Sequence, residues 1–186
     1  MPMVDCFPQA HHAQTFNYQG ARHMATKSPS SSTAKSRTPD AIALLKADHR
    51  QVEEWFTQFE KATSRAKKEK LAITICDALT IHTSVEEEIF YPAFMEATGD
   101  KDIHHEAVVE HAGAKKLIAE IRDMSSEDDY FDAKITVLSE MIKHHVREEE
   151  QPGGMFAKAK KSEMDLASLG GQLQTRKREL ELQAKA

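Results

Sequence analysis

At 186 residues with 40% apolar side chains, the chain is long enough for one folded domain with a modest core and flanking segments. A charged fraction of 30% and a formal net charge of −5 give no global field that would attract nucleic acid or an anionic membrane surface. Cys6 and Cys76 are the only cysteines, which excludes a disulfide framework and a cysteine-rich metal site and fits a reducing cytoplasm.

The N-terminal MPMVDCFPQAHH has neither the basic opening nor the apolar run of a secretory signal. Nothing downstream approaches the ~18 continuous apolar residues of a membrane span. Residues 1–38 are polar, broken by proline and glycine, and end in the low-complexity KSPSSSTAKSRTP, so they read as a disordered tail. Met24 opens MATKSPSSS and offers an alternative start, which would remove residues 1–23 and is testable by intact mass. His11, His12 and His23 fall in this tail and receive no role.

The signals change at Thr38-Pro39-Asp40, a capping residue followed by a proline suited to a first helical turn. Ile42, Leu45, His49, Val52, Phe56 and Phe59 then recur at intervals of three and four, the seam of an amphipathic helix. After the polar break ATSRAKK, a second helix carries Ile75, Leu79, His82, Glu86, Ile89 and Ala93 on its seam and ends near ATGDKD. Pro92 should kink or weaken its last turn, because proline lacks the backbone donor. A third helix reads His104, Ala107, His111, Ala114, Ile118 and Ile121 and stops near MSSEDD. A fourth reads Ile135, Leu138, Ile142, His145 and Glu149 and stops at Gln-Pro-Gly-Gly. Beyond Gly154 the chain looks like a short extra helix interrupted at Gly170-Gly171 and packed outside the bundle.

Every one of the four helices thus sets a histidine into an otherwise apolar seam. Short connections force antiparallel neighbours. The midpoint between His49 and the His82/Glu86 pair falls in the first break, and that between His111 and the His145/Glu149 pair falls in SSEDD, so both pairs meet at equal height. The middle connection is off by roughly one turn at ~1.5 Å per residue. Asp48-His49 to His82 is 33 residues and Glu110-His111 to His145 is 34, an internal repeat that predicts two similar helical hairpins in an all-α bundle of approximate twofold symmetry.

Residues at i and i+4 share a helical face, so His82 with Glu86, and His145 with Glu149, each present a nitrogen and an oxygen to one point, and His49 and His111 add a nitrogen each. An unpaired buried carboxylate costs several kcal/mol, and a cation cancels that cost. Imidazole with carboxylate suits iron, zinc, copper or manganese rather than calcium or magnesium. Two histidines and one glutamate per hairpin argue for two ions, since a carboxylate can bridge a pair ~3.5 to 4 Å apart. Bland readings compete at several positions. Glu87, Glu88 and Glu150 read as solvated faces, His104 and His105 as capping or boundary residues. His144 with Glu148 forms a second i,i+4 pair on the neighbouring row. Trp55, Phe56, Phe59, Phe90, Tyr91 and Phe94 read as core aromatics, with Phe56 and Phe90 alternatively a dry wall around the ions. Lys158 to Lys161 reads as a solvated helix start rather than a nucleic-acid patch.

DHR at 48, HTSVEEEIFYP at 82, EH at 110 and HHVREEE at 144 follow, in order, the motifs of the hemerythrin-like (HHE cation-binding) domain, which the chain resembles over residues 39–152. The resemblance implies an up-down-up-down four-helix bundle, as in myohemerythrin, with residues 153–186 as a C-terminal helical extension. It also implies two non-haem iron ions, or other divalent metals such as zinc or manganese, with a bridging oxo or hydroxo group. His49, His82, His111 and His145 would be terminal ligands, Glu86 and Glu149 bridging carboxylates, and the motif's second histidine aligns with His145 rather than His144. Oxygen-carrying hemerythrins have a further histidine where this chain has Ala107, so the resemblance points away from simple oxygen carriage. It points instead towards relatives used in iron or oxygen sensing and peroxide handling.

The expected function is therefore binding or sensing of dioxygen, nitric oxide or a peroxide in the cytoplasm, without nucleic-acid or membrane partners. A peroxide-decomposing redox enzyme, an iron-responsive interaction module and a metal-free bundle are the competing readings.

Overall fold

The computed structural model describes residues 39–185. The tail, its alternative start and its three histidines lie outside them. Helix α1 (Ala41–Lys61) begins at Asp40, whose carboxylate accepts from the Ala43 amide at 2.8 Å, so the cap is Asp40 and Pro39 precedes it rather than entering the first turn. Residues 62–64 turn the chain into α2 (Arg65–Val85). The helix then widens into a single π turn, Glu86–Phe90, in which the Tyr91 amide donates to the Glu86 carbonyl, and continues as α3 (Tyr91–Thr98). Gly99, at φ 64, ends α3 in the left-handed conformation that glycine adopts without a Cβ penalty, and Asp100 caps α4 (Lys101–Arg122). A longer turn leads to α5 (Phe131–Glu150).

Helix α1 packs against α2 and α5, and α4 packs against α2 and α5, which closes a ring of four antiparallel helices joined in sequence order. The architecture is all-α, an up-down-up-down bundle without strands among the described residues. No described helix is long and apolar enough to cross a membrane.

The π turn changes two expectations. It inserts one residue into the helical frame, so the buried seam beyond Glu86 runs through Phe90 and Phe94, while Ile89 and Ala93 are only half-buried. It also lies directly ahead of Pro92, and the helix passes through that proline to Thr98 instead of failing there.

The apolar core is divided. One cluster gathers Val52, Phe56, Phe59, Leu71, Ile75, Leu79, Ile118, Ile135 and Leu138. The other gathers Ile42, Leu45, Val85, Phe90, Phe94 and Ala107 with Met155, Phe156, Leu169 and Leu173. Along α1, α2 and α4 a histidine falls between the positions that feed the two clusters, and on α5 His145 follows Ile142, the last buried residue that the helix gives to the first, so a polar layer separates them.

Residues beyond Gly154 complete the second cluster. Helix α6 (Met155–Ala159) buries Met155 and Phe156, and α7 (Leu166–Gln183) lies across α1 and α2 with Leu169 and Leu173 buried. Gly170-Gly171 does not interrupt α7. A Cβ on Gly170 would meet the Pro39 carbonyl oxygen at 2.3 Å, so glycine there lets the helix approach the start of α1.

Candidate metal centre

The sequence-predicted residues meet in the polar layer. His49 and His82 place their Nε2 atoms 3.1 Å apart, and His111 and His145 do the same at 3.1 Å. Glu86 Oε2 lies 3.1 Å from His82 Nε2 and 3.4 Å from His111 Nε2, and so touches both imidazole pairs. Glu149 spans them from the other side, with Oε2 3.4 Å from His49 Nε2 and Oε1 3.7 Å from His145 Nε2. Ligand atoms of His49, His82 and Glu86 lie within 4.8 Å of one another, as do those of Glu86, His111 and His145. All six side chains are buried.

The outer faces of the imidazoles explain their orientation. His49 Nδ1 lies 2.8 Å from Glu150, His111 Nδ1 3.0 Å from Glu87, and His145 Nδ1 2.7 Å from Glu110. Asp48 faces His82 Nδ1 at 3.7 Å. An ionised carboxylate only accepts, so each Nδ1 that bonds to one carries its hydrogen and donates it, leaving the Nε2 lone pair bare and turned inward. Glu87 and Glu150 are therefore not solvated bystanders. Lys115 pairs with Glu87, while Lys46 and Arg50 pair with Glu150. Its bond to His49, helped by those cations, outweighs partial burial and pulls the Glu150 carboxyl down to about 2. Glu88 is the exposed member of its run and pairs with Arg176.

The remaining candidates sort by exposure. His144 points outward, its side chain 54% exposed and 3.1 Å from Glu110, and Glu148 accepts from Gln151, so the alternative pair is not at the centre. His104 is half-buried beside Tyr91 and His105 is exposed; neither caps α4, which Asp100 does. Ala107 is buried and brings no ligand atom.

Tyr91 is the functional residue that the periodicity hid. At 3.6 residues per turn it would stand about 140° round the helix from Glu86, but the wider π turn brings it back to the same face. Its hydroxyl lies 3.1 Å from His111 Nε2 and 3.3 Å from Glu149 Oε1. Burial, reinforced by Glu86 and Glu149, holds the phenol well above its ordinary value, so it stays protonated. Phe156 is the second: its ring stacks on His49 at 5.8 Å and meets Phe90 in a T-shaped contact at 5.6 Å. Phe90 thus backs the wall at one remove. Phe56 lines a groove of ≈360 Å³ that also touches His49, Ile142, Val146 and Glu150.

Four imidazole nitrogens and two carboxylates thus converge as acceptors. Glu86 Oε1 and Oε2 and Glu149 Oε2 are buried without a hydrogen-bond donor among the described residues. Several kcal/mol per uncompensated charge make such a cluster untenable without cations. Protons supply part of the compensation in the metal-free chain. Burial works against the His82 imidazolium, yet Glu86, Asp48 and Glu149 push it up to about 10. Burial and the proximity of Glu86 raise Glu149, while His82 and His111 hold Glu86 low despite its burial. Metal ions would replace those protons, and the mixed imidazole and carboxylate set fits borderline transition metals.

Bundle and acceptor cluster together define a cation-binding helical protein. The family model of the hemerythrin HHE cation binding domain matches residues 40–152, and the chain belongs to that family. A curated relative named a DNA nickase, from Nostoc sp., is 28% identical over 107 residues, which cover 58% of this chain and 30% of that protein. A crystal structure of a hemerythrin HHE cation-binding domain-containing protein from Mycobacterium kansasii superposes with a TM-score of 0.64 at 18% identity, covering 76% of this chain and 87% of the other. At that identity the likeness speaks for the fold.

Proposed function

We propose that the chain is a non-haem di-iron protein that binds or senses a small ligand, such as dioxygen, nitric oxide or a peroxide. One observation carries this reading: two imidazole pairs, each approached by both carboxylates, face inward with three carboxylate oxygens lacking a hydrogen-bond partner among the described residues. His49, His82, His111 and His145 would hold two ions, with Glu86 and Glu149 between them. Bound iron would supply open coordination positions and one-electron chemistry at this place.

The chain's own residues shape what can reach it. A void of ≈10 Å³ adjoins all four histidines and is walled by Val52, Leu79, Ile142 and Val146. That is about the space one water requires, which favours the smallest ligands over a larger organic substrate. The outer carboxylates hold the imidazole tautomers, and Tyr91 offers a buried proton. Anaerobic reconstitution with ferrous iron tests the proposal. About two ions per chain are expected, with an absorption spectrum that changes on adding oxygen, nitric oxide or peroxide. Uptake of no metal, or a spectrum indifferent to all three, refutes it.

A peroxide-decomposing enzyme at the same centre is the second reading, favoured by the Tyr91 hydroxyl 3.3 Å from Glu149. Sustained peroxide consumption that falls on Tyr91→Phe would establish it over a binder. The nickase relative contributes nothing further here, because the match covers 30% of it and a net charge of −5 offers phosphate no attraction.

A further inference from the structure

Helix α7 follows the family-matched residues 40–152, and the proposed function leaves it without a role. One of its side chains nevertheless reaches a carboxylate that faces one of the candidate ligands. Three of the four centre histidines hold a carboxylate directly on Nδ1. His82 differs: its Nδ1 and Asp48 Oδ2 are 3.7 Å apart, and both atoms are buried without a hydrogen-bond partner among the described residues. The other oxygen of Asp48, Oδ1, accepts from Lys177 Nζ on α7.

We infer that Lys177 is a positioning residue for the metal centre: by gripping one oxygen of Asp48, it keeps the other aimed at His82 Nδ1. This rests on the metal-binding reading above. A carboxylate behind a ligating imidazole selects its tautomer and ring orientation. Asp48 also borders a groove of ≈450 Å³ between α1, α2 and α7, lined in part by Lys177 and Glu181. Without the lysine, a carboxylate only 16% exposed gains by turning into that groove to meet water, and His82 Nδ1 loses the negative charge that faces it. The helix outside the family segment would thereby set how firmly one ligand is held.

The neighbouring residue separates positioning from simple docking. Arg176 also ties α7 to the bundle, through Glu88 at 2.6 Å, but Glu88 is 45% exposed and pairs with none of the centre imidazoles among the described residues. Ferrous iron is titrated anaerobically against a competing chelator for the full chain and for Lys177→Met, Lys177→Arg, Arg176→Met and Asp48→Asn. Lys177→Met and Asp48→Asn should each weaken binding by about 10- to 100-fold. Lys177→Arg should recover most of the loss, Arg176→Met should bind like the wild type, and the Lys177→Met/Asp48→Asn double variant should be no weaker than Asp48→Asn. Wild-type affinity in Lys177→Met, or equal weakening in Arg176→Met, would overturn the inference. Should Lys177→Met fail to fold, Asp48→Asn decides, because it leaves α7 its lysine: unchanged affinity there also overturns it. A wild-type chain that takes up no iron instead sinks the proposed function, so the two failures are distinct.

Discussion

Glu149 offers a direct separation of charge from shape. Glu149→Gln keeps the volume but removes one of the two negative charges that balance the ions, so metal content after reconstitution should fall from about two to one or fewer per chain. Elemental analysis of the desalted protein measures this. The adjacent glycines of α7 make a paired test. Gly170→Ala drives a methyl group to 2.3 Å from the Pro39 carbonyl oxygen and should destabilise by about 1–3 kcal/mol, despite a helix-propensity gain of about 1 kcal/mol. Gly171→Ala meets no atom of the described residues within 4 Å and should stabilise by up to about 1 kcal/mol. Denaturant titration reads both. Opposite signs at neighbouring positions would show that close helix approach, not flexibility, placed the first glycine.

At the scale of the element, the π turn and α6 determine how the centre is walled. The π turn adds one residue to the helical frame, which moves the buried seam to Phe90 and Phe94 and brings Glu86 and Tyr91 to one face. Helix α6 presses Phe156 flat on His49 while burying the ring at 2% exposure. Phe156→Ala should therefore cost about 3–5 kcal/mol in denaturant unfolding. Replacement by leucine should recover much of that stability, yet it leaves the imidazole face less well covered. A loss confined to stability would assign Phe156 to packing alone; a parallel change in the iron absorption spectrum would assign it to the site as well.

For the whole molecule, a polar layer between two apolar clusters makes stability depend on what neutralises that layer. In the metal-free chain His82 is raised from its ordinary 6.5 to about 10. A raised value means the folded state binds the proton more tightly, so its contribution is fully present below pH 6.5 and is lost as pH climbs through about 10. The elevated Glu149 carboxyl acts in the same direction. The melting temperature of metal-free protein should therefore decline over that range, whereas iron-loaded protein, whose ligands carry no such protons, should show little of the decline. Chelation at neutral pH should lower the melting temperature at once. Calorimetry across pH on both forms reads these outcomes together.

Much of this was legible in one dimension. Intervals of three and four fix which residues share a helical face, and i,i+4 spacing forces His82 with Glu86, and His145 with Glu149, to point together. Loop positions then place His49 level with His82, and His111 level with His145, because rise per residue is constant. Periodicity fails wherever the backbone leaves the α-helical repeat, and so it does not place Tyr91, five residues beyond Glu86, on the ligand face to which the π turn brings it. It is equally silent on contacts between elements far apart in the chain. That Glu87, Glu110 and Glu150 face ligand imidazoles, that Phe156 covers His49 and that Lys177 reaches Asp48 depends on how separate helices pack side by side, and only the tertiary structure decided it.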